Sequence, residues 1–466
     1  MTRFLIMVIA AGALLSGCAT LEPRYHRPAA PVPVNFPTGP AYHAPGDAPL
    51  PDWRAVFPDP KLQAVIEQSL SNSRDLRVAV GQLEAARAQY HVQRAALLPT
   101  VDASASATYA REYTGLPPAF GSAYERTTEY SASLGTTSYE VDLFGRLRSL
   151  SKAARETYLA TDEARRATQI TLVGSVATDY LTLAADESLL EAARQTVISG
   201  QSNLDLANRR LQGGIASALD VANAETIVDQ AKDDVARYTT QVAQDRNALD
   251  LVVGAVVAAE DLPSGIDDPA ARVGVVPEAL NSSVLLRRPD VLEAEHTLRS
   301  ANASIGAARA AFFPSISLTG SGGSTTMSLS SLFAPGTGVW SFGPSITLPI
   351  FDGGKNKGNL DYARAEDRID VAQYEKAIQT AFREVADALA QRGTIADRLR
   401  AQQGLVKAAA DSLKLSEALY ARGSDSYLDV LTSQRTYYAA QQSLIAVQLT
   451  AATNVVTLYK VLGGGL

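Results

Sequence analysis

The sequence predicts a mixed α and β membrane protein built as two similar halves, and three observations carry that expectation. Two columns of residues recur every seven positions, and each column ends at glycine. Each half also holds a pair of segments that alternate with a period of two. A shift of about 209 positions superposes the columns in one register, so that Leu219-Asp220-Val221 falls on Leu428-Asp429-Val430.

The second column is Ile378, Val385, Leu399, Val406, Leu413 and Tyr420, with Arg392 its only charged member. The first is Val176, Leu183, Leu190, Val197, Leu204 and Leu211. A repeat of ~3.5 residues per turn means supercoiled helices. Gly213-Gly214 and Gly423 then supply left-handed stops, and Ser217 to Asp220 and Ser426 to Asp429 each read as a capping box that restarts a helix. Two long helical hairpins with tight tips follow.

At the N-terminus, one early arginine precedes an apolar run from Phe4 to Leu15, too short for a mature membrane-spanning helix. Leu15-Ser16-Gly17-Cys18 resembles a bacterial lipobox, which implies cleavage of residues 1–17 and acylation of Cys18. Ala19, rather than an aspartate, follows, which favours the outer membrane. Cys18 is the only cysteine, so no intramolecular disulfide is available. Half of the 22 prolines lie between Pro23 and Pro60, which makes residues 18–60 an extended arm with Trp53 and Phe57 anchoring its end.

The first repeat is expected over residues 61–253. A helical region ends at Leu98, and Val101, Ala103, Ala105, Ala107 and Tyr109 alternate with small polar residues. The partner run changes phase between Leu134 and Tyr139, predicting a bulge around Gly135, and Glu112 to Arg126 reads as the exposed connection. A linker with short helical or irregular structure is expected over 254–280, and the second repeat over 281–466. There Ile316 and Leu318 open one strand, and Trp340, Phe342, Ile346, Leu348 and Ile350 alternate along the other.

Strands with one apolar and one small polar face suit a membrane β-barrel, although a soluble sandwich alternates similarly. Four strands cannot close such a barrel, since about eight or more are needed, and an open edge in lipid is not viable. Several chains must therefore share one barrel. A helix from about Arg148 to Gln212 reaches on the order of 100 Å, too long to fold around a private core, so the helices are expected to pack side by side around a hollow tube.

Other chemistry finds no support. The formal charge of −7 and the lack of a basic stripe argue against nucleic acid. The four histidines are scattered without metal-ligand spacing, and Met327 is the only methionine outside the signal segment. Gly353-Gly354-Lys355 and Ser149-Leu150-Ser151-Lys152 lack the companion residues of a phosphate loop or a serine acyltransferase. The chain is read as a non-enzyme with no cofactor other than lipid on Cys18.

The duplicated plan, the lipobox and the paired tips Gly214-Ile215-Ala216-Ser217-Ala218-Leu219-Asp220-Val221 and Gly423-Ser424-Asp425-Ser426-Tyr427-Leu428-Asp429-Val430 resemble the TolC-like outer-membrane efflux channels. Arg288-Pro289-Asp290-Val291-Leu292-Glu293-Ala294-Glu295 and Ala301-Asn302-Ala303-Ser304-Ile305-Gly306 are most similar to the lipoprotein OprM branch. The resemblance covers essentially the whole mature chain. It implies a homotrimer whose twelve-stranded β-barrel, four strands per chain, is continued by a long periplasmic α-helical barrel. It further implies a passive exit duct of a tripartite pump, working with a periplasmic adaptor and an inner-membrane transporter of the resistance-nodulation-division type. The alternative is the outer-membrane duct of a type I protein secretion system.

By the same resemblance, Gly214, Ile215, Gly423 and Ser424 match tip positions that adaptors engage. Asp220, Tyr420 and Asp429 match a periplasmic gate. Thr432 stands where some members carry a second aspartate, with Leu428 a steric plug and Arg435 an electrostatic tie. Asp220 and Asp429 equally fit the fourth place of a capping box, and Tyr420 lies on the heptad column, so capping and packing stay open beside gating.

Overall fold

The chain, seen as a computed structural model, is described over residues 20–42, 52–113, 124–268, 271–274 and 281–465. Its elements are α1 (Trp53–Val56), α2 (Pro60–Asn72), α3 (Arg74–Ala95), β1 (Asp102–Tyr113), β2 (Tyr124–Val141), α4 (Arg146–Gln212) and α5 (Ala218–Val253). There follow α6 (Pro289–Ala310), β3 (Ser315–Thr326), β4 (Gly338–Thr347), α7 (Lys355–Arg422) and α8 (Tyr427–Val461).

Three helices are preceded by an aspartate whose carboxylate accepts from otherwise unpaired backbone N–H groups at the helix start. Asp59 accepts from Lys61 N at 2.8 Å and Leu62 N at 3.3 Å, with Pro60 at the first helical position. Asp142 accepts from Leu147 N at 3.2 Å and Arg148 N at 2.9 Å to open α4. Asp352 accepts from Gly354 N and Asn356 N, both at 2.9 Å, to open α7. Nothing interrupts α4 for 67 residues or α7 for 68, so each is ~100 Å long. The second heptad column stays inside: Ile378, Val385 and Tyr420 are buried, and Leu399, Val406 and Leu413 are half-buried. The first is buried from Val176 to Leu190 and reaches the surface only at Leu211.

The strands form one antiparallel sheet in the order β1-β2-β3-β4. Register sorts the residues onto two faces. One face carries the cross-strand pairs Ala103/Leu134, Ala105/Ala132, Gly322/Trp340, Gly320/Phe342 and Ile316/Ile346. The other carries serines whose hydroxyls bond across the strands: Ser104 to Ser133 at 2.9 Å, Ser106 to Ser131 at 2.8 Å and Ser321 to Ser341 at 2.8 Å.

Three expectations shift. The irregularity lies between Thr136 and Tyr139 and is made against β3, while Gly135 still pairs in register with Asp102. Glu112 and Arg126, expected in the connection, belong to the strands because the ladder continues to Tyr113 and Tyr124. Leu348 and Ile350 lie beyond the last ladder pair at Thr347, despite continuing the alternation.

By packing, the chain divides into two units that follow neither half: Met1–Pro28, Leu83–Thr161 and Ala294–Tyr374 form one, and Ala29–Gln82, Asp162–Glu293 and Glu375–Leu466 the other. The first holds the sheet. Its N-terminal arm is tied down by Lys152 Nζ to Glu22 at 2.7 Å and by Arg27, 2.6 Å from the buried Glu295 carboxylate, which Arg299 of the same helix also pairs at 2.6 Å. Burial alone would raise the Glu295 pKa, but the Arg27 hydrogen bond and the Arg299 charge leave it below the usual carboxylate range.

The second unit holds both hairpin tips. Phe36 stacks on Phe382 at 4.9 Å, and Phe57 meets Tyr459 edge-on at 5.7 Å, so the arm ends in aromatic anchors, one of them the expected Phe57. Buried Arg288 is paired with Asp290 at 2.7 Å and Glu384 at 2.8 Å and donates to the Val461 carbonyl at 2.6 Å. Gly393 is required where the arm crosses α7, because a Cβ there would collide with the Ala41 carbonyl.

Candidate functional site at the hairpin tips

Both hairpins turn through the same backbone device. Ile215 N donates to Arg210 O and Gly214 N to Leu211 O, both at 2.9 Å, while Ser424 N donates to Leu419 O at 3.0 Å and Gly423 N to Tyr420 O at 2.9 Å. This pair of bonds is the Schellman closure, and its left-handed residue is Gly214 (φ 73°) or Gly423 (φ 78°). The turn leaves Ile215 and Leu219 on the surface, 68% and 67% exposed. All four expected adaptor-contact residues, Gly214, Ile215, Gly423 and Ser424, are exposed.

The helix restarts differ between the tips. At the first, Asp220 N donates to Ser217 Oγ at 3.2 Å and Ser217 N to Asp220 Oδ2 at 2.8 Å, a complete capping box. At the second the box does not form, which corrects the expectation. The Ser426 hydroxyl donates to Asp429 Oδ2 at 2.5 Å, and Ser426 N turns to Asp425 Oδ1 at 2.9 Å. Asp425, absent from the first tip, competes for the N–H that would close the box. The Ser426 hydrogen bond holds the exposed Asp429 carboxyl below the usual carboxylate range.

Beneath the turns lies one small core of Ala207, Ala224, Ile227, Tyr420, Tyr427, Val430 and Leu431, drawn from α4, α5, α7 and α8. Tyr420 and Tyr427 meet edge-on at 5.3 Å. Arg210 places its guanidinium 4.3 Å over the Tyr420 ring and donates to the Tyr420 carbonyl, so the end of α4 is bonded to the end of α7. Asn203 adds a bond to Glu417 at 3.1 Å. Burial raises the Tyr420 pKa against the opposing Arg210 charge, and burial with the Tyr420 ring beside it pushes Tyr427 up to about 12. Neither phenol oxygen has a hydrogen-bond partner among the described residues.

The remaining gate candidates lie on one exposed stretch of α8. Leu428 is 61% exposed, Thr432 donates back to the Leu428 carbonyl at 2.8 Å, and Arg435 reaches Thr226 Oγ1 at 3.5 Å. Among the described residues Arg435 makes no ion pair with Asp220 or Asp429. Within one chain, then, Tyr420 is part of the packed core, whereas Asp429, Leu428, Thr432 and Arg435 face outward. Cys18 lies outside the described residues. Sequence gives no signal for the role of Arg210: Arg209 and Arg210 mark only a basic last turn, and the partner belongs to a helix more than 200 residues away.

The family model described as "Outer membrane efflux protein" matches residues 65–255 and 280–464. The chain belongs to this outer membrane efflux protein family. Among its relatives, the toluene efflux pump outer membrane protein TtgC of Pseudomonas putida is 46% identical over 469 residues, covering 100% of this chain and 96% of the relative. The antibiotic efflux pump outer membrane protein ArpC of Pseudomonas putida is likewise 46% identical, with the same coverage. The open-state crystal structure of the Neisseria gonorrhoeae MtrE outer membrane channel has a TM-score of 0.86 at 37% identity, covering 96% of this chain and 99% of that one.

As an outer membrane efflux protein, the chain is a transport duct of the bacterial outer membrane and not an enzyme. Its sheet is one chain's share of a β-barrel, and its long helices are one chain's share of a periplasmic α-helical barrel. It works within an efflux pump.

Proposed function

We propose that three copies of this chain form the exit duct of a tripartite pump that expels small apolar toxic compounds, including aromatic solvents and antibiotics. The open sheet carries this reading: β1 and β4 are edges, each with an unpaired row of N–H and C=O groups. In lipid those edges must pair with other copies, and three copies give twelve strands, above the ~8 needed to close. The cargo class follows relatives named for toluene and antibiotic efflux. An inner-membrane transporter of the resistance-nodulation-division type supplies the energy, and a periplasmic adaptor meets the tips at Gly214, Ile215, Gly423 and Ser424.

Acylation of Cys18 is part of the same proposal. Thr20, two residues later, packs against Gly145, just after β2 ends at Val141, which suits an anchor near the barrel. The two halves, 61–253 and 281–466, act as tandem repeats that each supply one strand pair and one hairpin.

At the entrance, threefold symmetry sets three copies of Asp429 around one axis and concentrates negative potential. The Ser426 hydrogen bond lowers the Asp429 pKa and so opposes the mutual repulsion that would favour protonation in such a ring. Leu428 narrows the opening, and Thr432 and Arg435 continue the same face. Asp220 caps α5 in its own chain and adds a second negative ring, while Tyr420 holds the two hairpins together behind the gate.

Retention of a fluorescent cationic dye in cells lacking the protein, against cells with it restored on a plasmid, tests the duct. Higher retention reversed by the plasmid is expected. Unchanged dye retention with a lost secreted protein would replace this reading by a secretion duct.

A further inference from the structure

Arg111 on β1 and Arg126 on β2 are direct cross-strand partners. Their face is the apolar one, because the pairs Ala105/Ala132, Ala107/Tyr130 and Tyr109/Thr128 lead to it without a break in register. Side-chain geometry agrees: Tyr109 and Tyr130 are hydrogen-bonded at 3.0 Å, and the Arg111 guanidinium sits 4.3 Å over the Tyr124 ring. Two like charges directly opposite each other oppose pairing of the hairpin. A neutralising counterpart is therefore needed on that face.

The described residues do not supply it. The nearest carboxylates in register, Glu112 and its partner Glu125, alternate onto the serine face, and so does Glu129 opposite Thr108. Neither arginine has an ion-pair partner among the described residues, and both are exposed. The connecting residues 114–123 contain no acidic residue. The hairpin end thus carries arginines on its lipid face and glutamates on its lumen face.

Depth identifies what meets the arginines. Ten residues separate Val101 from Arg111; at ~3.3 Å per residue and a tilt of about 40° they rise about 25 Å, the height of the apolar band. The pair sits at the outer headgroup level, among Tyr109, Tyr113, Tyr124 and Tyr130, an interfacial aromatic cluster. We propose that Arg111 and Arg126 clamp a phosphate of lipid A, the phosphorylated outer-leaflet lipid, with the tyrosines packed beside its sugar. Two guanidinium forks suit a phosphate's oxygens, and a site on the lipid face excludes a ligand carried through the lumen. The inference rests on the outer-membrane barrel described above.

Native mass spectrometry of detergent-extracted, full-length protein tests it, with lipid A, dephosphorylated lipid A, phosphatidylglycerol and inorganic phosphate as probes. Retention of lipid A by the wild type, and at least tenfold weaker retention by R111Q/R126Q, is the expected result. R111K/R126K, which keeps the charges but loses the forks, should fall between. Equal lipid A retention by R111Q/R126Q, equal retention of the dephosphorylated lipid or of phosphatidylglycerol, or displacement by inorganic phosphate would each overturn the assignment. Circular dichroism and dye efflux by R111Q/R126Q should match the wild type, separating a lost clamp from a lost fold. Failure of the barrel reading would show separately, as extraction without detergent.

Discussion

Asp220 and Asp429 occupy matching places in the two tips yet make different bonds, so their loss has different consequences. Asp220 completes a reciprocal capping box; Asp220→Ala should destabilise the start of α5 by about 1 kcal/mol, read in thermal unfolding. Asp429 accepts from the Ser426 hydroxyl, and the Ser426 side chain caps no N–H, so no reciprocal box closes; Asp429→Ala should cost less stability than Asp220→Ala and raise resting single-channel conductance. Unchanged conductance would leave it no gating role. Asp186 on α4 gives a pH prediction: burial first, then its hydrogen bond to Asp245 and that group's charge, push its carboxyl up to about 7 against the opposing Arg237. Asp179 is also raised, by burial and by the charge of Asp245. The folded form therefore binds its proton more tightly than the unfolded chain does. The stabilisation is complete below about pH 4 and is lost as pH rises through about 7. The unfolding temperature should be higher at pH 5 than at pH 8, and Asp186→Asn should flatten that difference.

At the scale of elements, both tip turns depend on one left-handed glycine, because a side chain there crowds the following carbonyl. Gly423→Val should cost ~1–2 kcal/mol at that turn and weaken adaptor binding measured with purified adaptor, since Ser424 would be displaced with it. The sheet offers a sharper comparison. Ala132→Arg puts a charge on the apolar face near mid-height, at a cost of roughly 2–4 kcal/mol in lipid, and should reduce the amount assembled in the outer membrane. Ser133→Arg, the next residue on the serine face, should assemble normally and change conductance instead. Period-two alternation made this distinction readable from sequence, because register follows the apolar pattern. Strand ends were not readable: the Glu112 to Arg126 segment is as polar as a loop, and only ladder pairing shows that its ends are strand.

At the scale of the whole molecule, four strands with two open edges make the single chain incomplete, and assembly supplies what it lacks. If Cys18 carries the proposed lipid, Cys18→Ser should abolish acyl labelling without preventing the barrel from closing, since the open edges require pairing whether or not an anchor is present; intact mass and membrane fractionation read both effects.

Periodicity by itself determined the architecture. Seven-residue columns fixed the long helices, alternation fixed the faces of the strands, and glycine with Ser-x-x-Asp fixed the tips, because each is a local rule of backbone geometry. The core of the tips needed the tertiary structure. Arg210 on Tyr420, and Asp186 beside Asp245, are pairs joined by helix packing, and no spacing along the chain encodes which side chains two hairpins bring together. The second capping box failed for a similar reason: Asp425 and Ser426 offer competing partners to the same groups, and only folded geometry decided between them.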